Sequence, residues 1–130
     1  MGEFIPFVSV DHALEAIEYY KKLKHLKPTE ANYYYKYGGV LGMKATQVNK
    51  FKALGMISEI RSSFEKAIAL NPKHIEARWA LIELNLQLPG IVGGSETKAI
   101  EYSNELKEFS SVDGYLSRGH IEEYFKRYSA

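Results

Sequence analysis

The stretch Tyr34-x-x-Tyr37-Gly38-x-x-Leu41 constrains the fold of this chain more than any other. Three large residues at helical spacing make a narrow apolar seam, and a glycine inside that seam lets a second helix pack close. This is the first-helix pattern of a helical-hairpin repeat. The companion half is a small residue four positions before an aromatic, with a proline eight positions further on. Ala16-x-x-x-Tyr20 leads to Pro28, and Ile60-x-x-x-Phe64, with Ile60 in the small position, leads to Pro72. Ala99-x-x-x-Ser103, followed by Ser111, keeps the spacing alone.

Taken together, these residues resemble the tetratricopeptide repeat (TPR) family over about residues 11–125. The resemblance implies an all-α fold of antiparallel helical hairpins, stacked as a short right-handed array of about six helices. It implies one domain over 1–130, with an N-terminal arm at 1–10 and the helical array at 11–128. The loop Pro89-Gly90-Ile91-Val92-Gly93-Gly94-Ser95 looks like one found in some bacterial TPR-like proteins.

Periodicity places the helices. The first is expected from Asp11 to about Leu26, with Ser9 or Asp11 as N-cap and a stripe of Leu14, Ile17, Tyr20 (or Lys21) and Leu23. Pro28 stops it, because the residue before a proline is pushed out of helical space. The second is expected from an N-cap at Thr29 to about Lys44, with Glu30 in its first turn. Gly38, Gly39 and Gly42 fall inside it, each costing about 1 kcal/mol against alanine. That cost fits close helix packing; the alternative is a helix broken at Gly38-Gly39.

Between Ala45 and Leu70 no proline intervenes, and Val48, Phe51, Leu54 (or Gly55), Ile57 (or Ile60), Phe64, Ala67 and Ile68 recur at helical intervals. Pro28 and Pro72 are 44 residues apart, against a usual period of about 34. The excess must lie between Gly42 and Ile57, as a longer second helix or a separate helical turn. A fourth helix follows Pro72 to Gln87, with Ala77, Leu81, Leu84 and Leu88 packing. Ser95 caps a fifth, in which Ala99, Ile100, Tyr102 (or Ser103) and Leu106 face inward. Phe109 to Gly114 reads as a turn, and Tyr115 to Tyr128 as a closing helix whose solvated face holds Arg118, Glu122, Glu123, Lys126 and Arg127.

Composition removes several functions. The 130 residues carry 17 basic and 16 acidic side chains, a balance that argues against electrostatically driven binding to nucleic acid or membrane. No apolar run approaches the roughly 20 residues of a membrane span. The chain has no cysteine, which excludes thiolate chemistry and disulfides. Met1-Gly2-Glu3-Phe4 lacks a signal-peptide pattern, and the compartment is left open.

Motifs for chemistry are weak. The glycine-rich loop before Ser95 has the look of a phosphate cradle, but no Gly-Lys-Ser/Thr follows, and Glu96 puts negative charge where an anion would sit. A structural loop is the better reading. His12 with Glu15 and His120 with Glu123 share helix faces, but His12, His25, His74 and His120 are scattered over different helices and give no convergent ligand set. No catalytic Ser/His/Asp arrangement or cofactor fingerprint is visible, so neither an enzyme nor a cofactor is expected.

Aromatic residues carry the functional expectation. Tyr34 and Tyr37 belong to the seam, whereas Tyr35 lies about 100° further round the helix, and Trp79 is its equivalent one residue past Arg78. In TPR proteins the inner faces of first helices line a groove. The resemblance therefore nominates Asn32, Tyr35, Gly39, Glu76, Trp79 and Glu83, with Arg118 if the last helix continues the pattern. The clamp by which some TPR domains hold a C-terminal carboxylate needs Lys, Arg and Asn on these faces. Tyr35, Gly39, Trp79 and Glu83 stand there instead, so the expected ligand is an apolar or basic peptide or partner protein. The alternative is self-assembly into a homo-oligomer through the apolar arm Phe4-Ile5-Pro6-Phe7-Val8 and the end helices.

Overall fold

The computed structural model describes residues 10–125, which form six α-helices and, among these residues, no strand. They are α1 (Val10–Leu26), α2 (Ala31–Ala45), α3 (Lys50–Leu70), α4 (Ile75–Gln87), α5 (Glu96–Phe109) and α6 (Ser111–Tyr124). The arm at Phe4–Val8, Ser9, Lys126, Arg127 and Tyr128 lie outside the described residues. The chain divides into two compact units, Met1–Pro72 with α1 to α3 and Lys73–Ala130 with α4 to α6.

In the first unit α2 is the central helix, packed on α1 and α3. It runs unbroken through Gly38-Gly39, because the glycine gap is filled from outside. A Cβ on Gly38 would lie 2.8 Å from Cε1 of Phe64 on α3. Phe64 therefore occupies the space a side chain would take, and the seam closes over Tyr37, Gly38, Val40 and Leu41 of α2 and Ile60, Ser63, Phe64 and Ala67 of α3. Tyr37 is 2% exposed and donates its hydroxyl to Glu59 Oε2 at 2.6 Å. Burial, and then that carboxylate, push the phenol well above its usual pKa. From α1, the Lys24 ammonium sits 4.0 Å from the centre of the Tyr37 ring.

Three expectations fail here for local reasons. The N-cap of α2 is Glu30 rather than Thr29, since the tight turn after Pro28 takes up Thr29; Glu30 N–H donates to Lys27 O and its carboxylate accepts from Asn32 N. On α1, Ala13 and Ile17 are buried, while Leu14 is 58% exposed. The ten extra residues mostly lengthen α3 rather than the second helix, because Thr46 closes α2, its Oγ1 donating to Met43 O at 2.7 Å. A turn at 46–49 follows α2, Asn49 accepts from Lys52 N at 3.0 Å, and the 21-residue helix starts at once. Burial on α3 begins only at Ile60, so Phe51 and Leu54, expected inside, are 87% and 48% exposed.

In the second unit α4 packs on both α5 and α6 and is buried round most of its circumference. Ile82, Leu86, Ala99, Leu106 and Ile121 form the core. A buried arginine ties α4 to α5: Arg78 Nε donates to Glu105 Oε1 at 2.8 Å, and its guanidinium lies 5.1 Å from the Phe109 ring centre. Ser95 caps α5, as its position suggests, by accepting from Lys98 N at 3.1 Å. The turn expected from Phe109 to Gly114 is a single residue, Ser110. Its hydroxyl accepts from Asp113 N at 3.2 Å and donates to Asp113 Oδ2 at 2.7 Å, which starts α6 at Ser111, four residues early. The α5–α6 seam is lined by small residues: Ser103 Oγ lies 2.7 Å from Ser117 Oγ, and a Cβ on Gly114 would meet Lys107 Cα at 2.6 Å.

Gly38 and Gly42 should therefore respond oppositely to substitution. Gly38→Leu is expected to destabilise by about 1–3 kcal/mol, because the buried Phe64 ring must give way. A Cβ on Gly42 would meet nothing within 4 Å, and Gly42→Ala should gain up to about 1 kcal/mol from helix propensity. Urea unfolding of both variants checks the pair, and a stabilised Gly38→Leu would overturn the packing account.

Candidate functional site

The seven nominated residues do not share one environment. On α2, Asn32 is exposed and Gly39 half-buried, whereas the Tyr35 ring is tilted against Phe64 with centroids 6.1 Å apart. Tyr35 is thus drawn partly into the hairpin seam, because Tyr35 and Gly38 are three residues apart and both meet the same ring. On α4, Glu76 is exposed. Arg118, on α6, is exposed and pairs along its own helix with Glu122 Oε2 at 3.0 Å.

Trp79 and Glu83 belong together. They lie four residues apart on one face of α4, and both meet α6. The half-buried indole donates from Nε1 to Asp113 Oδ1 at 2.9 Å and stands 6.3 Å, centroid to centroid, from the His120 ring. Glu83 Oε2 contacts His120 Nε2, an ion pair whenever the imidazole is protonated, while Oε1 accepts from Gln87 Nε2 at 3.0 Å. The result is a polar network of Asp113, Trp79, His120 and Glu83 at the α4–α6 surface. Sequence reasoning left Asp113 in a turn and paired His120 with Glu123 on its own helix. The available signal was Ser110-x-x-Asp113, a capping pattern that would have started α6 early and turned Asp113 and His120 toward α4.

The glycine-rich loop is structural. It forms a 3₁₀ turn at Gly90–Val92, and Gly93 takes a left-handed φ of 102° that favours glycine. Val92 N and Gly94 N donate to Pro89 O, Gly93 N to Gly90 O, and Ser95 N to Asn85 O. Those four consecutive N–H groups are consumed internally and are not offered to an anion. Among the described residues, no three His, Asp or Glu side chains converge as a metal site would require. Nor, among the same residues, is any helix long and apolar enough to cross a membrane.

No protein-family model matches this chain, and a search among curated proteins likewise finds no match.

One titration in this unit has a clear sign. His74 is 3% exposed and caps α4, its Nδ1 accepting from Ala77 N at 3.1 Å. Burial lowers its pKa, Glu76 at 3.6 Å opposes that shift, and Arg78 adds to it. The folded state thus favours the neutral imidazole, which alone can accept at Nδ1. Its contribution is fully present above the unfolded pKa of about 6.5 and is lost as pH falls below that value. His74→Asn, which keeps a capping acceptor without a titrating group, should flatten the fall in unfolding free energy between about pH 7.5 and pH 5. Identical pH slopes for the two proteins would refute the assignment.

Proposed function

We propose that this chain is a non-catalytic protein-interaction module of TPR type, which binds a peptide or partner protein through the inner faces of its first helices. The observation that supports it best is the setting of Trp79. Its indole is half-buried, locked by the bond to Asp113, and bordered by Glu83, with Glu76 exposed one turn earlier on α4. A rigid aromatic at a surface offers a large contact area at small entropic cost. Carboxylates beside it favour a basic or apolar ligand over an acidic one. Asn32, Tyr35 and Gly39 serve the same role on α2 in this reading, and Arg118 on α6.

Selection of peptides from a displayed random library tests the reading, followed by titration of dye-labelled selected peptides monitored by their fluorescence anisotropy. Selected peptides should be enriched in Lys or Arg beside apolar residues. Trp79→Phe, which keeps much of the packing, and Glu83→Lys should each weaken their binding by about tenfold, or roughly 1.4 kcal/mol. Failure to select any peptide, or unchanged affinity in both variants, would withdraw the proposal.

Self-assembly is a second reading, favoured by the outer residues of the end helices. Leu14, Tyr19 and Leu26 of α1 are 58%, 69% and 72% exposed, and Val112, Tyr115 and Leu116 of α6 are 68%, 67% and 59% exposed. Apolar side chains in such numbers on single helices suit a protein contact. Sedimentation of the full chain should then show a concentration-dependent oligomer that Leu116→Lys dissociates. A protein that stays monomeric at high micromolar concentration removes this reading.

A further inference from the structure

We propose that the end of the α2–α3 hairpin, around Lys44, Lys50, Phe51, Lys52 and Leu54, docks on an anionic lipid surface. Between Glu30 and Glu59 the chain carries Lys36, Lys44, Lys50 and Lys52 and no acidic residue. The near-neutral charge of the whole molecule conceals this local excess. Three of the four lysines border the turn at 46–49: Lys44 in the last turn of α2, Lys50 and Lys52 in the first turn of α3. Lys50 and Lys52 are exposed.

The same helical turns present their apolar residues outward. Phe51 is 87% exposed and Leu54 48%, three residues apart and on one side of α3, and no residue from Lys50 to Glu59 is buried. A protruding phenylalanine and leucine flanked by lysines match the interface of a bilayer. The rings and aliphatic stems enter the headgroup–acyl boundary, and the ammonium groups stay with the anionic headgroups. The pattern fits lipid better than nucleic acid: beside Phe51 stands the aliphatic Leu54, which has no base to stack on and suits the acyl boundary of a bilayer. An acidic protein would satisfy the lysines but gives no reason for an aromatic side chain held almost wholly in solvent.

Vesicle flotation of the full chain tests the proposal. Vesicles of phosphatidylcholine with about 30% phosphatidylserine should carry the protein upward, pure phosphatidylcholine vesicles should not, and salt of about 0.5 M should release it. Lys50→Glu with Lys52→Glu, and separately Phe51→Ser with Leu54→Ser, should each reduce the bound fraction about tenfold while circular dichroism stays unchanged. As a check independent of those variants, Phe51→Trp in a Trp79→Phe background should shift its emission to the blue on the anionic vesicles. Absence of flotation, equal binding to both vesicle types, unaltered binding by both double variants, or an unshifted emission would each overturn the proposal. So would binding to duplex DNA or to polyglutamate that exceeds vesicle binding and is unaffected by Phe51→Ser with Leu54→Ser. None of these outcomes depends on the Trp79 face.

Discussion

The first unit depends on one close approach, that of α3 to the side-chain-free point of α2 at Gly38. A Cβ there would stand 2.8 Å from the Phe64 ring, so the ring serves as the side chain α2 lacks. With the helices brought together at that point, neighbouring contacts follow. Tyr37 reaches Glu59 across the seam, Tyr35 leans on Phe64, and Lys24 of α1 lies over the Tyr37 ring. The glycine lowers local helix propensity by about 1 kcal/mol, and the burial of Phe64, worth roughly 1.5–3 kcal/mol, offsets it. The second unit reaches the same end with serines: Ser103 and Ser117 satisfy one another in a seam that admits no larger side chain beside Gly114.

The parts of the fold legible in the sequence were those written as periodicity and punctuation. Pro28 and Pro72 separated helices, Ser95 capped one, and the Gly38 pattern marked a seam. What escaped were features decided by how far each helix is covered. The repeat along α3 is continuous from Phe51 to Ile68, yet burial begins at Ile60, and periodicity carries no information about where a partner helix stops. Nor does periodicity foretell the buried Arg78, a charged residue that stays inside because Glu105 and the Phe109 ring neutralise and cover it.

The candidate site was half legible for a related reason. The repeat pattern reads Tyr35 on α2 and Trp79 on α4 as equivalent and treats them alike. Their neighbours do not: Tyr35 meets a phenylalanine across its own hairpin, whereas Trp79 meets an aspartate and a histidine on α6. A repeat signature specifies which side of a helix faces its partner. It does not specify the chemistry of the residue that waits there, which for Trp79 depends on the distant capping serine, Ser110, fixing the start of α6.

Charge at helix starts brings out the contrast between the two units. Glu76, Glu96 and Asp113 stand in the first turns of α4, α5 and α6, where a negative side chain complements the positive end of the helix dipole. The first turn of α3 has no acid and carries Lys50 and Lys52. Each lysine so placed costs about 0.3–1 kcal/mol of helix stability, and the exposed Phe51 between them contributes nothing to the core in return. Observing the dipole rule at the three helices of the second unit and breaking it at α3, beside the most exposed phenylalanine among the described residues, concentrates local instability where an external anionic surface would relieve it. The same helix dipole that disfavours these lysines in solution reinforces their attraction to such a surface, so the feature that weakens α3 alone strengthens it when docked.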